Sequence, residues 1–325
     1  MTEPSRAMRR GSVSLRLYPH LQLPPTDIVQ ELLTQGRLAE QSGFDGVMVS
    51  EHHNAFAGYL PNPIQAAGWL LDVTQEAWAA PCPLLLPLRP TAMVAEEIAW
   101  LAARFPGRVG VGVAAGSLEA DFTIAGTTKD DLTARFADAM RTLADMLGGR
   151  DPGLLPDDPA ITRCTTDPIP VVSAAMSPAA CRRAAAAGIG LLFDSLTTVA
   201  RCRDLVDVYR GAGGSGPVVL IRRVAPGTPP VQRQDDQLRL YRSYASSNAI
   251  EHWGEDQLAS GDAAQIAEML AAQANAVGAD CLNLRIHSAG MAPIEARTHI
   301  EALADVRSLL AQRWPTPNGG TTPGR

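Results

Sequence analysis

The sequence predicts an α/β fold and, within that class, a closed (β/α)8 TIM barrel. Short apolar runs alternate with segments of helical periodicity along most of the chain. Strands separated by helices pair in parallel through right-handed crossovers. Eight such units are present, and 325 residues suit one barrel of this kind. Titratable residues follow the second strand, at the end where such barrels carry their chemistry.

The first half of the chain contains four strand–helix units. Thr26 or Asp27 can cap the first helix, and Gly43 follows its end. The predicted strands are 13–18, 46–50, 82–86 and 109–113, and the predicted helices are 26–41, 63–75, 91–104 and 130–147.

The second half repeats this alternation after a long loop at 148–166, which is rich in Pro, Asp and Gly. The predicted strands are 169–173, 191–193, 218–223 and 281–286, and the predicted helices are 178–187, 198–210, 263–277 and 293–312, with one more within 232–250. We expect a single barrel domain over 12–312, with disordered tails at 1–11 and 315–325.

The composition argues against several classes of protein. The net charge is −6, so the chain lacks the basic field that neutralises phosphates in nucleic acids. Five cysteines are scattered without a CxxC pair, which argues against a disulfide framework or a structural zinc site. Neither a signal peptide nor an apolar run of membrane length is evident. We therefore expect a reduced, cytoplasmic protein that binds neither nucleic acid nor a membrane.

The most informative motif is Glu51-His52-His53, which directly follows the second predicted strand. A histidine exchanges protons near neutral pH, so His52 is the first candidate for a catalytic residue. Side chains alternate along a strand, so Glu51 and His53 should share the side opposite to His52. The alternative is a structural histidine at the strand end. A metal site is not expected, because no distant Asp, Glu or His cluster supports one.

Several segments resemble the bacterial luciferase-like flavin monooxygenase family. The resemblance covers roughly residues 12 to 312 and is most specific in its first third. It is carried by Ser42 to His53, Leu85 to Pro90 with Glu96-Glu97, Gly107 to Val113, Gly116, Asp121-Phe122, Gly126, and Ala276 to Leu284.

The resemblance implies a barrel enzyme that uses reduced FMN to activate O2. A C4a-hydroperoxyflavin would oxygenate a small organic substrate, and a separate flavin reductase would supply the reduced FMN. A minority of the family instead transfers hydride with the deazaflavin F420, and some luciferase-type barrels are non-catalytic partner subunits. Members of the family usually pair, so a homodimer is expected by analogy.

The resemblance also implies roles for individual residues. His52 would act as the base beside the flavin, with Glu51 and His53 in support. The Cys82-Pro83 bond would be cis and lie under the isoalloxazine ring, the alternative being an ordinary trans proline. The phosphate would bind at Ala175, Met176 and Ser177, where Ser177 and Pro178 predict a helix start. The alternative there is a simple helix cap.

The loop Ala115-Gly116-Ser117 should also contact the cofactor, but it departs from the family. Luciferases carry an arginine for the phosphate where this chain has Ala115, and a ring-contacting cysteine where it has Ala114. Phosphate affinity should be weaker unless Arg222 or another arginine substitutes. These replacements also favour a non-catalytic flavin-binding subunit as an alternative.

Two further residues are candidates for contact with the substrate. Tyr18 ends the first predicted strand and His287 follows the eighth, so both should lie near the barrel mouth. The alternative for each is a solvated residue in a loop.

Overall fold

The computed structural model describes residues 5–56, 58–243, 245, 250–254 and 257–315. Its core is a ten-stranded sheet in the order β3-β2-β1-β10-β8-β7-β6-β5-β4, with β9 paired to β8, and every pair of strands is parallel. The strands are β1 Ser12–Arg16, β2 Gly46–Val49, β3 Trp78–Pro81, β4 Leu84–Leu85, β5 Val111–Ala114, β6 Val171–Ala174, β7 Gly190–Phe193, β8 Val218–Pro226, β9 Leu258–Gly261 and β10 Cys281–Arg285.

Helices follow most of the strands and pack around the sheet. The described helices are α1 Pro25–Gln41, α2 Pro63–Asp72, α3 Thr91–Arg104, α4 Glu119–Ile124, α5 Leu132–Leu147, α6 Pro159–Arg163, α7 Pro178–Ala186, α8 Val199–Gly211, α9 Val231–Arg242, α10 Ala263–Val277 and α11 Pro293–Arg313. The TIM barrel predicted from the alternation of elements is confirmed. In the part of the chain that the structure describes, no helix combines the length and the apolar character needed to cross a bilayer.

One stave of the barrel is divided between two short strands. β3 pairs with β2, β4 pairs with β5, and a bridge between Ala79 and Val109 closes the ring. The predicted strand 82–86 is therefore wrong in its bounds, because Cys82 and Pro83 form the break between β3 and β4. A proline has no N–H for the ladder, which accounts for a break at this position.

The amino-terminal end of the barrel is filled with apolar side chains. Ala7 and Met8 are buried there against Trp78 and Val219. The expected disorder of residues 1–11 is therefore wrong for residues 5–11, which pack against the barrel. Ala7 and Met8 are apolar, which favours burial, but residues 5–11 show no regular pattern from which packing against the barrel could be predicted. Of the expected tail at 315–325, all but Pro315 lies outside the described residues.

Three other elements depart from the prediction. The expected loop at 148–166 contains α6, whose cap residue Asp158 accepts a hydrogen bond from Trp100 Nε1 at 3.0 Å. The short helix α4 and the edge strand β9 were not predicted at all. Elements of four to six residues carry too little periodicity to be distinguished from loops. The helix allowed within 232–250 is α9, which ends earlier, at Arg242.

Candidate active site

A cavity of about 570 Å³ opens at the carboxyl ends of the strands. Its lining residues come from most of the staves: Arg16, Tyr18, Ser50, Glu51, His52, Tyr59, Pro83, Leu85, Ala114, Ala115, Gly116, Ser117, Ala174, Met176, Leu192, Asp194, Ser195, Ile221 and Arg285. A second cavity of about 630 Å³ lies at the opposite, amino-terminal end, beside residues 5–10. Because barrels of this kind carry their chemistry at the carboxyl ends, the first cavity is the candidate site.

His52 faces this cavity and is held from behind by a carboxylate. Its Nδ1 lies 2.7 Å from Oδ2 of Asp121, and the other oxygen of Asp121 accepts the backbone N–H of His53 at 2.9 Å. Burial is the largest influence and lowers the pKa of His52, while the hydrogen bond to Asp121 opposes it. A neutral imidazole that donates through Nδ1 keeps a basic lone pair on Nε2. The ring is also flanked by Tyr59, at a centroid distance of 4.6 Å.

Glu51 and His53 contact each other, but Glu51 lines the cavity together with His52, so the predicted separation of Glu51 from His52 is wrong. Glu51 accepts hydrogen bonds from the backbone N–H of Leu85 at 2.6 Å and from Arg89 at 3.2 Å, and lies 3.4 Å from Nε2 of His53. The hydrogen bond to Glu51 is the largest influence on His53 and raises its pKa. One Glu51 oxygen thus braces β4 through Leu85 and the other contacts Arg89 and His53, and His53 is not among the residues that line the cavity.

The Cys82-Pro83 bond is cis, as predicted. Pro83 lines the cavity, whereas Cys82 points into the barrel interior, where burial raises the pKa of its thiol to about 11. Its carbonyl oxygen accepts hydrogen bonds from Arg16 Nη1 at 2.7 Å and from Ser50 Oγ at 3.1 Å. The thiol is thus protonated and out of reach, while the peptide itself forms part of the cavity wall.

The predicted cofactor residues on the two neighbouring loops divide into lining and supporting positions. Ala115, Gly116, Ser117 and Met176 line the cavity, whereas Ala175 is fully buried behind it. Gly116 has a φ of +87°, and an added Cβ there would press on the ring of Phe122. The turn after β5 therefore requires a glycine.

Ser177 caps α7 by accepting the backbone N–H of Ala180 at 3.2 Å. Arg222, which could have replaced the missing phosphate arginine, instead donates to Gln273 on α10 at 2.9 Å. A different cation stands at the cavity rim, because Lys129 Nζ donates to the carbonyl oxygen of Ser117 at 2.9 Å.

Tyr18 and His287 stack against each other with ring centroids 4.6 Å apart. Tyr18 lines the cavity, and burial raises its pKa to about 12. His287 lies behind it, where burial lowers its pKa to about 3, with a smaller contribution from Arg285. His287 is half-buried and is not among the residues that line the cavity, so its position does not meet the expectation of contact with the substrate.

The residues of the site that sequence reasoning missed include Arg16, Asp121 as the partner of His52, and Arg285 as a cavity wall. On β1, Ser12, Ser14 and Arg16 alternate with apolar residues. Polar residues on every second position of a barrel strand indicate a polar interior, so this signal was available. The pairing of Asp121 with His52 spans 69 positions and depends on α4, which carries no readable pattern.

In the described part of the chain, no group of three His, Cys, Asp or Glu side chains comes together in a way that could hold a metal ion. The candidate chemistry therefore rests on the His52–Asp121 pair, the buried arginines and the apolar walls.

Known proteins of similar sequence and fold indicate the family of this chain. Residues 10–313 match the model of the luciferase-like monooxygenase family. The alkanal monooxygenase alpha chain of Photorhabdus laumondii is 31% identical over 127 residues, which are 39% of this chain and 35% of the relative. The match thus spans about a third of that relative's length.

Two solved structures share the fold across almost the whole chain. The oxygenating constituent of 3,6-diketocamphane monooxygenase from Pseudomonas putida, in complex with FMN, has a TM-score of 0.73 at 15% identity and covers 93% of this chain and 98% of its own. An F420-dependent secondary alcohol dehydrogenase, in complex with an F420-acetone adduct, has a TM-score of 0.71 at 17% identity and covers 93% and 99%. Since the family model spans nearly the whole barrel, the chain belongs to the luciferase-like monooxygenase family.

Proposed function

We propose that the protein is an FMN-dependent monooxygenase in which His52 is the proton-transferring residue. The observation that carries this proposal is the His52–Asp121 pair: a carboxylate 2.7 Å behind Nδ1 leaves Nε2 as a base on the cavity side. A base oriented by a buried acid is a recurring arrangement in catalytic sites. A purely structural histidine would not need to face a cavity of about 570 Å³.

The lining residues fit a flavin. The volume lies within the range of cofactor sites, and the walls at Pro83, Ala114, Ala115 and Ile221 are apolar and mostly small, as a planar tricyclic ring requires. Ser117 and Met176 line the cavity, and the capped start of α7 directly follows Met176, so polar groups for a phosphate lie beside this wall, where a helix N-terminus favours an anion. When bound, reduced FMN would supply the electrons that activate O2.

The protein's own residues have distinct tasks in this proposal. His52 Nε2 takes a proton from the substrate or returns one to an oxygen, and Asp121 fixes its tautomer. Arg16 and Ser50 hold the Cys82 carbonyl, which keeps the cis peptide in place as a rigid wall. Glu51 and His53 brace the start of β4 and act as positioning residues. The apolar walls exclude water from the reacting groups.

The test separates binding from chemistry. FMN titration and oxygenation by His52→Ala are compared with those of His299→Gln, which changes a half-buried histidine on α11, away from the cavity. We expect His52→Ala to keep its fold and its FMN affinity but to lose most oxygenation, roughly 100-fold or more. A His52→Ala enzyme with unchanged turnover would remove His52 from the mechanism.

The phosphate position has its own test. Ser177→Asp places a second negative charge beside the phosphate and should weaken FMN binding by charge repulsion, whereas Ser177→Asn retains a cap and should not. Equal FMN titrations for wild type and Ser177→Asp would refute this placement.

The second candidate is hydride transfer with F420, which the likeness to the F420-dependent alcohol dehydrogenase supports. Mixing the protein with reduced FMN and O2, or with reduced F420 without O2, distinguishes the two. A non-catalytic flavin-binding subunit is the third reading, and the retained His52–Asp121 pair counts against it. The proposal also includes a single catalytic domain over 12–312, a separate flavin reductase that supplies reduced FMN, a homodimer, and a cytoplasmic location.

A further inference from the structure

Three arginines form a row on adjacent strands along one wall of the barrel. Arg16 ends β1, Arg285 ends β10, and Arg223 lies on β8 directly opposite Arg285 in the parallel register. The three side chains are between 4% and 6% exposed. We call Arg16, Arg285 and Arg223 the arginine row.

The row has no counter-charge among the described residues. No oxygen of a described Asp or Glu lies within 4.0 Å of a guanidinium nitrogen of any of its three members. Arg16 donates to neutral acceptors on Asn283, Ser50 and Cys82, and Arg223 donates to Gln234 at 2.9 Å. Burying several like charges without a carboxylate is costly.

The carboxylates of the cavity wall are committed elsewhere. Glu51 accepts hydrogen bonds from Leu85 and Arg89 and contacts His53, as described above. Asp194 accepts from the backbone N–H groups of Leu196 and Thr197 at 2.8 and 2.7 Å. Arg16 and Arg285 line the cavity together with Glu51 and Asp194, but the hydrogen bonds of these two carboxylates go to other groups and not to the two arginines.

Arg285 is the member of the row that both lines the candidate site and has unused donors; the buried Nε of Arg223 also lacks a partner, but Arg223 lines a separate cavity beside α9. Its Nη2 donates to the hydroxyl of Tyr241, while its Nε is buried without a partner and Nη1 has no hydrogen bond to any described residue. The rings of Tyr18 and Tyr241 flank the guanidinium, each with its centroid 4.9 Å from Cζ. The aromatic sandwich holds the group flat and leaves its remaining edge for a planar acceptor.

We propose that Arg285, supported by the rest of the arginine row, binds a carboxylate on the substrate. A guanidinium fork matches a carboxylate with two parallel hydrogen bonds, and a bound anion would give Arg285 the ion pair that the described carboxylates do not provide. Arg285 and Arg16 lie on strands three and four places around the sheet from β6, the strand that precedes Ser177, so these two arginines stand apart from the position proposed for the FMN phosphate. This inference deepens the proposed function, because the anion is taken to belong to the substrate of that site.

The repulsion between Arg285 and Arg223 agrees with this assignment. Burial is the larger influence, and Arg285 adds to it, in lowering the pKa of Arg223 to about 10. Like charges opposite each other on neighbouring strands destabilise a sheet. Removing the charge of Arg285 should therefore relieve this repulsion and offset part of the loss of its contacts with Tyr18 and Tyr241.

The test uses benzoate and its neutral analogue benzamide, without flavin. Calorimetric titration of the wild type should show binding of benzoate and at least 10-fold weaker binding of benzamide. In Arg285→Met, benzoate affinity should fall roughly 10-fold to 100-fold, as expected for a charge-assisted hydrogen bond. Arg285→Lys should restore part of it. Arg239→Met, an exposed arginine of α9 paired with Asp236, is the control and should bind benzoate like the wild type.

Each other outcome overturns the inference. Equal binding of benzoate and benzamide, no binding of either, or unchanged benzoate affinity in Arg285→Met would exclude a carboxylate site. Tighter binding of inorganic phosphate than of benzoate would assign the row to a phosphoryl group. An Arg285→Met protein that unfolds at lower temperature and keeps its benzoate affinity would make Arg285 structural. FMN titration of Ser177→Asp is independent of all these results, so failure here and failure of the monooxygenase proposal are distinguishable.

Discussion

His287, the half-buried histidine stacked on Tyr18, should make the protein less stable in mild acid. Burial lowers the pKa of His287 to about 3, whereas an unfolded chain binds the proton near pH 6.5. Below pH 6.5 the unfolded state therefore holds one more proton than the native state, and the free energy of unfolding falls as the pH falls. At about 1.4 kcal/mol per pH unit, His287 alone removes about 2 kcal/mol between pH 6.5 and pH 5.

The assay is urea unfolding of the wild type and of His287→Phe at pH 7 and pH 5. The wild type should lose about 2 kcal/mol more than the variant on going to pH 5. His20 and His52, whose pKa values burial also lowers, remain in both proteins and cancel in the comparison. His287→Gln, with different packing but again no imidazole, should give the same difference.

His53, whose pKa is shifted in the opposite direction, provides the control. The hydrogen bond to Glu51 raises the pKa of His53, so His53 adds stability below pH 6.5, which is lost as the pH rises through its folded pKa. Relative to the wild type, His53→Asn should therefore lose more free energy of unfolding at pH 5 than at pH 7. If wild type, His287→Phe and His287→Gln all respond to pH alike, His287 titrates freely and its burial behind Tyr18 is wrong.

Two further predictions concern the support of the site. Asp121→Asn removes the carboxylate that raises the pKa of His52 against the effect of burial, so this pKa should fall in an NMR titration. Glu51→Gln should lower chiefly the pKa of His53. The reverse pattern would contradict the hydrogen bonds of these two histidines. Gly112→Ala would place a Cβ against the sulfur and Cβ of buried Cys82, so we expect a loss of about 1–3 kcal/mol on urea unfolding. Gly126→Ala, at a glycine with no atom within 4 Å of the new Cβ, controls for the loss of glycine alone, although its positive φ adds a small cost.

The alternation of strands and helices could be predicted because it depends on patterns of many residues. The barrel, the strand end before His52, and the helix start at Ser177 all follow from local composition. The cis bond at Cys82-Pro83 could be anticipated only from the family resemblance. None of these required knowledge of which strands are neighbours.

The electrostatic partners of the site could not be predicted in this way. Asp121 meets His52 because α4 brings a residue from 69 positions away, and Arg223 faces Arg285 because β8 and β10 are neighbours although β9 intervenes in the chain. A single sequence shows which residues carry charge. Which charges lack a partner is a property of the closed sheet.

The barrel interior links these observations, because its two ends have opposite characters. Met8 and its apolar neighbours close the amino-terminal end. Above them a chain of hydrogen bonds runs from Ser14 through Asn283 to Arg16 and reaches the carbonyl of Cys82. A polar chain in this position is stable only if each donor finds an acceptor. Arg16 therefore uses its donors within the barrel, whereas Arg285, held by Tyr241 and flanked by the rings of Tyr18 and Tyr241, keeps donors for a ligand.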